Sequence, residues 1–198
     1  MATATAVRDV KQYIGGDWVG AAGGETYDQR RLLLRNLGNG TFADVSSQSG
    51  PGILQARSSR GLAVGDLDND GDLDLVVVNL DSTPSILRND GGNARNWLIV
   101  KLSGTKSNRL GLGARIKASA GTLQMIRQAT TAGSIFSGSD SRVHFGLGSA
   151  TQADLEICWP SGKVQTLRGV SANQILDVDE DRGIVGSSFR SLEHRTPN

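Results

Sequence analysis

Short runs of apolar residues alternate with glycine-rich turns along the chain. The segments "RGLAV" (60–64), "LDLVVV" (73–78) and "ARNWLIVKLSG" (94–104) contain apolar stretches that are too short for helices and rich in β-branched residues, which favours strands. The same pattern continues in "LGARIKASAG", "LQMIRQATTAG", "SRVHFGLG", "ADLEICWPSGKVQTLRGV" and "NQILDVDE". The pattern therefore predicts an all-β protein.

A sequence repeat marks the first part of the chain. The stretch "LLLRNLGNGTF" (32–42) recurs as "SILRNDGGN" (85–93), with the shared Leu-Arg-Asn 53 residues apart. A period of this size is typical of a propeller blade. The chain holds about one and a third such units, whereas a closed propeller needs about four to eight blades. We predict that each copy is a strand followed by a glycine turn of the hairpin type.

The repeat and the change of pattern after it define four segments. Residues 1–30 form a leader, 31–95 a partial propeller-type blade, 96–180 a small antiparallel β-sandwich, and 181–198 a polar tail. Within the sandwich, Pro160, Ser161 and Gly162 are expected to form a hairpin turn, because proline fixes one φ angle and glycine relaxes another.

Five aspartates at alternate positions crowd the turn between two predicted strands, in "GDLDNDGDLDLVVVN" (65–79). They are Asp66, Asp68, Asp70, Asp72 and Asp74. No lysine or arginine lies between Arg60 and Arg88. Two like charges about 4 Å apart repel by about 4 kcal/mol in a protein environment. The cluster must therefore be spread out in water or neutralised by a cation.

The spacing Asp-x-Asp-x-Asp-Gly-x-x-Asp favours a cation. Gly71 permits a sharp turn and leaves the Asp72 carbonyl free to coordinate. The side chains that this turn can bring together are those of Asp66, Asp68, Asp70 and Asp74. Such oxygen ligands suit Ca²⁺ and are poor for zinc. An EF-hand would need a glutamate at its twelfth position and flanking helices, but Val77 and strands are found here. We predict a calcium site between two strands; the alternative is a solvated acidic turn.

The overall charge and the N-terminus exclude some classes of protein. The net charge is +1, and seven basic residues between 91 and 139 are not interleaved with aromatics, so scattered strand-face charges are favoured over a nucleic-acid surface. The start "MATATAVRDVKQYIGG" lacks the apolar core of a secretory signal, and no segment is long enough to span a bilayer.

One cysteine, Cys158, and one histidine, His144, lie in the predicted sandwich. Cys158 is the single cysteine, so no disulfide within the chain and no cysteine-based zinc site is expected. We interpret Cys158 as a buried strand thiol and His144 as a structural strand residue. His194 lies in the polar tail without a partner at metal-ligand spacing.

Several motifs in order resemble two known families. "LLLRNLGNGTFADVS", "SRGLAVGDLDNDGDLDLVVVN" and "ILRNDGGN" resemble the FG-GAP/VCBS repeats of integrin-alpha-like propellers. "NWLIVKLSGTKSNRLGLGARIKASAG", "HFGLG" and "WPSGKVQTLRGV" resemble the ASPIC/UnbV domain that follows such propellers in cartilage-acidic-protein-like chains. The resemblance implies structural Ca²⁺ in the aspartate loop and an interaction module that is exported or on the cell surface. The leader "VRDVKQYIGGDWVGAAGGETYD" (7–28) resembles the opening hairpin of aldehyde dehydrogenases, without their catalytic regions.

These observations predict a non-enzymatic, calcium-binding β module for adhesion or for recognition of a protein or glycan. The sequence contains no Gly-x-Ser-x-Gly nucleophile elbow and no phosphate-binding P-loop, and "GLGARI" (111–116) misses the third glycine of the dinucleotide-binding fingerprint. The alternative is a non-autonomous fragment of a larger propeller protein, or a fusion with the dehydrogenase-like leader, without catalytic activity. Exposed strand edges would then allow self-association.

Overall fold

Strands dominate the computed structural model, which describes residues 29–80, 82–135 and 137–189. The first part of the chain contains β1 (Leu34–Asn36), β2 (Phe42–Asp44), helix α1 (Pro51–Leu54), β3 (Ser59–Gly65), β4 (Asp74–Asn79) and β5 (Ser85–Leu87). The second part contains β6 (Asn96–Ser103), β7 (Arg115–Ala120), β8 (Leu123–Gln128), β9 (Ala132–Ser134), β10 (Ser137–Gly138), β11 (Val143–Gly148), β12 (Gln152–Cys158), β13 (Val164–Ser171), β14 (Gln174–Asp179) and β15 (Gly183–Phe189). The predicted all-β class is confirmed. Most of the predicted leader, residues 1–28, lies outside the described ranges.

The first part forms a propeller-type blade, as predicted. Strands β3, β4 and β5 make a three-stranded antiparallel sheet, and β1 and β2 make a separate hairpin. The Arg31 guanidinium ties this region together, because it donates to the Gly52 carbonyl at 2.7 Å, to Asn79 Oδ1 at 3.0 Å and to Ser85 Oγ at 2.9 Å. Helix α1, β4 and β5 are thereby held by one side chain.

The two copies of the sequence repeat differ in structure. In the first copy, β1 is followed by a glycine turn and by its antiparallel partner β2, as expected of a hairpin. The prediction of a hairpin turn in the second copy was wrong. Its strand, β5, pairs with β4, and the glycines that follow enter a 3₁₀ turn at Gly92–Ala94 that leads into β6. The physical reason is that Asp72 accepts hydrogen bonds from the backbone N–H groups of Gly91 and Asn93, which fixes this segment against the aspartate loop.

The second part is a sandwich of two four-stranded sheets, with strand orders β11-β6-β14-β15 and β13-β12-β7-β8. Strand β12 shows why they pack: Ala153, Leu155 and Ile157 are buried, whereas the residues between them face solvent. The largest fully buried apolar side chains in the core are Phe145, Leu98, Ile116, Leu147, Leu155, Ile157, Val100 and Val178. The predicted sandwich is thus present, and one of its strand pairs, β14 with β6, is parallel.

Two details of the sandwich depart from the sequence interpretation. Cys158 was predicted to be buried, but it is exposed, because the alternation of β12 turns it away from the core that receives Ile157. The sheet also continues beyond residue 180, since β15 pairs with β14 up to Phe189. Ile184 and Val185 of this edge strand are both largely exposed, so the segment lacks the alternation by which strands are recognised.

A buried carboxylate fastens the loop after β6. Glu180 follows β14 and is fully buried. Its Oε2 accepts from the backbone N–H groups of Thr105, Lys106 and Ser107 at 2.7 to 2.8 Å. Its Oε1 accepts from the hydroxyls of Ser107 and Ser161. This anion therefore links β14, the 105–107 segment and the hairpin turn between β12 and β13. In the described ranges no helix has the length and apolar character needed to cross a membrane.

Candidate metal centre

The aspartate loop connects β3 to β4 of the blade. The register of these strands places Gly65 opposite Asp74, so the two ends of the loop are held side by side. Inside the loop, Asn69 (φ 57°) and Gly71 (φ 99°) adopt left-handed backbone conformations. Asn and Gly are the residues that tolerate this region most readily. The sequence thus folds locally into a tight curl that brings the carboxylates of Asp66, Asp68 and Asp74 together.

Two carboxylates hold the curl through backbone hydrogen bonds. Asp66 accepts from the N–H of Asp70 at 3.1 Å and from the N–H of Gly71 at 3.0 Å. Asp74 accepts from the N–H of Leu67 at 3.0 Å and, with its other oxygen, from the N–H of Asn89 at 2.8 Å. The loop shape is therefore set by its own side chains and by the chain that follows β5.

Three of the five predicted ligands converge. Asp66, Asp68 and Asp74 each offer one carboxylate oxygen, and these oxygens lie within 4.8 Å of one another. Ca²⁺ binds oxygen at about 2.3–2.6 Å, so two ligands of one ion are at most about 5 Å apart. Asp66 and Asp74 are only 3% and 1% exposed. The donor set and its spacing fit a calcium ion.

The other two aspartates take different positions in the loop. Asp70 Oδ1 accepts from the N–H of Asp72 at 3.2 Å. The Asp72 carboxylate turns toward the 91–93 segment, where Oδ2 accepts from the N–H groups of Gly91 at 3.2 Å and Asn93 at 3.3 Å. Its Oδ1 is buried and finds no hydrogen-bond partner among the described residues. Coordination by the Asp70 side chain and by Asp72 stays a prediction.

For two carboxylates of the loop, Asp66 and Asp72, hydrogen bonds do not fully compensate for burial. Burial raises the pKa of Asp66, although hydrogen bonds from the backbone N–H groups of Gly71 and Asp70 act in the opposite direction. Burial also raises the pKa of Asp72, and the negative charge of Asp70 adds to this effect. A divalent cation would favour the ionised forms and so remove this cost.

The aspartate loop is surrounded by residues of the sandwich. The sequence alone did not assign these residues to a site. Arg142 donates to the Asp66 carbonyl at 2.7 Å and to Asn69 Oδ1 at 2.6 Å. His144 lies in β11, as predicted for a structural strand residue, and its Nε2 donates to the Gly71 carbonyl at 2.9 Å. Burial lowers the pKa of His144. A side chain at Gly71 would overlap the indole of Trp97. Because these partners are distant in sequence, no local motif could reveal them.

Comparison with known proteins identifies both parts of the chain. The FG-GAP-like repeat family matches residues 17–77, a range that includes the aspartate loop and begins inside the predicted leader. The family described as ASPIC and UnbV matches residues 104–185, which covers most of the sandwich. The two matches follow each other in the order that the sequence motifs predict.

Curated relatives are similar to a large part of this chain. Cartilage acidic protein 1 of Xenopus tropicalis is 32% identical over 140 residues, covering 65% of this chain and 21% of the relative. The protein of the same name from Mus musculus is 29% identical over 167 residues, covering 77% of this chain and 25% of the relative. The chain thus spans a quarter or less of the length of these relatives. It contains an FG-GAP-like repeat that carries the aspartate loop, followed by an ASPIC and UnbV domain, as its sequence motifs indicated.

Proposed function

We propose that this chain is a calcium-stabilised β module that serves recognition outside the cell. The observation that carries the proposal is the convergence of carboxylate oxygens from Asp66, Asp68 and Asp74 within 4.8 Å of one another. Buried carboxylates at such short spacing repel each other strongly unless a cation lies between them. The loop belongs to an FG-GAP-like repeat, which agrees with the predicted structural role of Ca²⁺.

Calcium suits this loop better than other common metals. The candidate ligands are oxygens from carboxylates and from backbone carbonyls, which hard cations prefer. Mg²⁺ requires near-ideal octahedral geometry at about 2.0–2.1 Å and keeps several waters, whereas Ca²⁺ accepts irregular loops of this kind. Without a bidentate glutamate at the twelfth position, the dissociation constant is expected at about 10⁻⁴ to 10⁻³ M, the range of extracellular modules.

The proposed role of the metal is structural and the module is non-enzymatic. Asp66 and Asp74 each accept hydrogen bonds from two backbone N–H groups, which belong to the loop or to Asn89 after β5. Their oxygens therefore hold the loop in its conformation and would bind the cation. Carboxylates engaged in this way have little capacity for acid–base chemistry. Adhesion to, or recognition of, a protein or glycan is the proposed activity, and nucleic acid is not a proposed partner.

A calorimetric titration of the full chain with Ca²⁺ tests the proposal. Wild-type protein should bind one ion in the loop, with Mg²⁺ binding at least about tenfold more weakly. Asp68→Asn, which keeps the size of the side chain and removes one negative charge, should weaken Ca²⁺ binding. The matched control is Asp90→Asn, since Asp90 is an exposed neighbour that pairs with Arg88. No heat of binding in wild type, or equal affinities for both variants, would contradict the calcium site.

A second candidate function is completion of a larger assembly through the blade. Three large apolar side chains of the blade are strongly exposed, at 72% for Leu32 just before β1, 60% for Phe42 in β2 and 68% for Ile86 in β5. Exposed apolar strand edges promote pairing with another chain. Light scattering over a range of protein concentrations distinguishes the two candidates. A stable monomer supports the autonomous module, and concentration-dependent association that Phe42→Lys or Ile86→Lys abolishes supports assembly.

A further inference from the structure

We infer that the sandwich, which contains the ASPIC and UnbV domain, completes the calcium site of the repeat, with Arg142, His144 and Trp97 as positioning residues that hold the aspartate loop in its binding shape. Calcium binding and the docking of the sandwich onto the blade then stabilise each other. The inference rests on the proposed calcium site and adds a second domain to it.

Arg142 is fixed between the two parts of the chain. Its guanidinium forms an ion pair with Asp140 at 2.6 Å, and the two side chains are only 20% and 24% exposed. From this anchored position it donates to Asn69 Oδ1 and to the Asp66 carbonyl. The planar fork of an arginine suits such a double contact, which a lysine ammonium cannot reproduce. Arg142 thus holds the backbone of Asp66, the first predicted ligand, and the side chain of Asn69, the left-handed residue that follows Asp68.

His144 and Trp97 hold the glycine turn from neighbouring strands of one sheet. In the pairing of β11 with β6, Gly146 lies opposite Trp97 and His144 lies opposite Ile99. His144 donates to the Gly71 carbonyl, and Trp97, which is 5% exposed, fills the space where a side chain at Gly71 would lie. The turn at Gly71, between Asp70 and Asp74, is therefore pressed against the sandwich surface.

The chain before β11 adds a backbone contact to the same interface. Asp140 N–H donates to the Val64 carbonyl at 2.9 Å, and Ser139 Oγ accepts from the Val64 N–H at 3.2 Å. Val64 lies in β3, directly before the aspartate loop. Asn93 Nδ2 donates to the Asp70 carbonyl at 3.0 Å from the other side. Contacts from the sandwich and from the 91–93 segment thus reach the loop at its start, its middle and its turn.

The positive charge of Arg142 and its positioning role predict opposite effects on Ca²⁺ affinity when Arg142 is removed. A guanidinium close to Asp66 repels a bound cation, so if it acted by charge alone its removal would strengthen Ca²⁺ binding. If Arg142 positions the loop, its removal weakens binding, since groups that orient metal ligands contribute about 10- to 100-fold to affinity. By thermodynamic linkage, if docking of the sandwich raises the affinity for Ca²⁺ by a given factor, bound Ca²⁺ raises the equilibrium constant for docking by the same factor.

Calorimetric Ca²⁺ titrations of full-length variants test the inference. Arg142→Met, Arg142→Lys and His144→Phe should each weaken binding about tenfold or more relative to wild type. Arg168→Met is the matched control, because Arg168 is 82% exposed on the other sheet of the sandwich, and it should bind as wild type does. Asn69→Gly is a loop-side variant that keeps the left-handed backbone and removes the acceptor of Arg142, so it should weaken binding as well. Circular dichroism in EDTA verifies that each variant is folded.

The outcomes separate this inference from the proposed function. Unchanged or tighter binding in Arg142→Met and Asn69→Gly, with wild type binding normally, overturns the positioning role and leaves the calcium site intact. Absence of binding in wild type overturns both. Hydrogen exchange gives an independent readout: Ca²⁺ should slow exchange of the β11 amides in wild type and have a much smaller effect in Arg142→Met. Equal slowing in both proteins contradicts the coupling.

Discussion

The Nε2 of His144 donates a hydrogen bond of 2.9 Å to the carbonyl of Gly71, a residue 73 positions earlier in the chain. The first residue belongs to the sandwich and the second to the turn of the aspartate loop. The two family units of the chain are therefore joined at the candidate metal centre itself. A short linker alone does not account for such an arrangement, because the contact depends on side chains from both units.

Gly71→Ala should destabilise the protein by about 2–5 kcal/mol. A left-handed conformation costs a non-glycine residue about 1–2 kcal/mol, and overpacking against Trp97 adds about 1–3 kcal/mol. Gly162→Ala is the matched control, since Gly162 has a φ of 89° but open space around it. Urea unfolding measures both free energies. Equal losses for the two variants would show that the contact with Trp97 contributes nothing.

Glu180 should make the stability of the sandwich depend on acid pH. Burial alone would raise its pKa, but the hydroxyls of Ser161 and Ser107 and the backbone N–H groups of Thr105 and Ser107 donate to the carboxylate and hold its pKa well below the usual range. A carboxyl whose pKa is lower in the folded state stabilises fully above its unfolded pKa of about 4.3 and loses this contribution as the pH falls.

Comparison with Glu180→Gln isolates this effect from the other carboxylates. The difference in free energy of unfolding between wild type and variant should be largest above about pH 5 and should shrink as the pH falls below about 4. Urea unfolding at pH 7, 5 and 3.5 measures the difference. A value that stays constant over this range would show that the ionised carboxylate is not what the 105–107 segment binds.

Arg31 should be essential for the blade. Its guanidinium bonds to Gly52, Asn79 and Ser85, and hydrogen bonds to charged groups contribute about 1.5–3 kcal/mol each. We expect Arg31→Met to lower the free energy of unfolding by at least about 2 kcal/mol, while Arg30→Met, at an exposed neighbour, should change it by less than about 0.5 kcal/mol. Denaturant unfolding checks both values, and equal effects would argue against the role of Arg31.

The local features of the fold and site could be predicted from the sequence because their causes lie within a few residues. Alternating apolar positions specify strands such as β12, and the aspartate spacing with Gly71 specifies a curled loop. The hairpin around Gly162 follows from turn chemistry in the same way. In each case the residues that determine the structure are neighbours in the chain.

The remaining features depend on contacts between distant segments. Arg142 reaches Asn69 across 73 residues, and nothing in its surroundings distinguishes it from a solvated arginine. The parallel pairing of β14 with β6 likewise leaves no local pattern. The second glycine turn resembles the first in sequence, yet Asp72 captures its backbone N–H groups and directs it into β6. Sequence periodicity carries no information on such pairings.

Thermal unfolding of the full chain in millimolar Ca²⁺ and in EDTA tests the central claim most directly. An ion that binds the folded loop and not the unfolded chain stabilises by about 2.7 kcal/mol at a hundred times its dissociation constant. Wild type should therefore melt several degrees higher in Ca²⁺ than in EDTA, Asp70→Ala and Asp68→Asn should lose the shift, and Asp90→Asn should retain it. The companion control Asp81→Ala, at a residue outside the described ranges, should also retain it. An identical melting temperature of the wild type in both conditions would contradict the calcium site and leave the aspartates as a solvated turn.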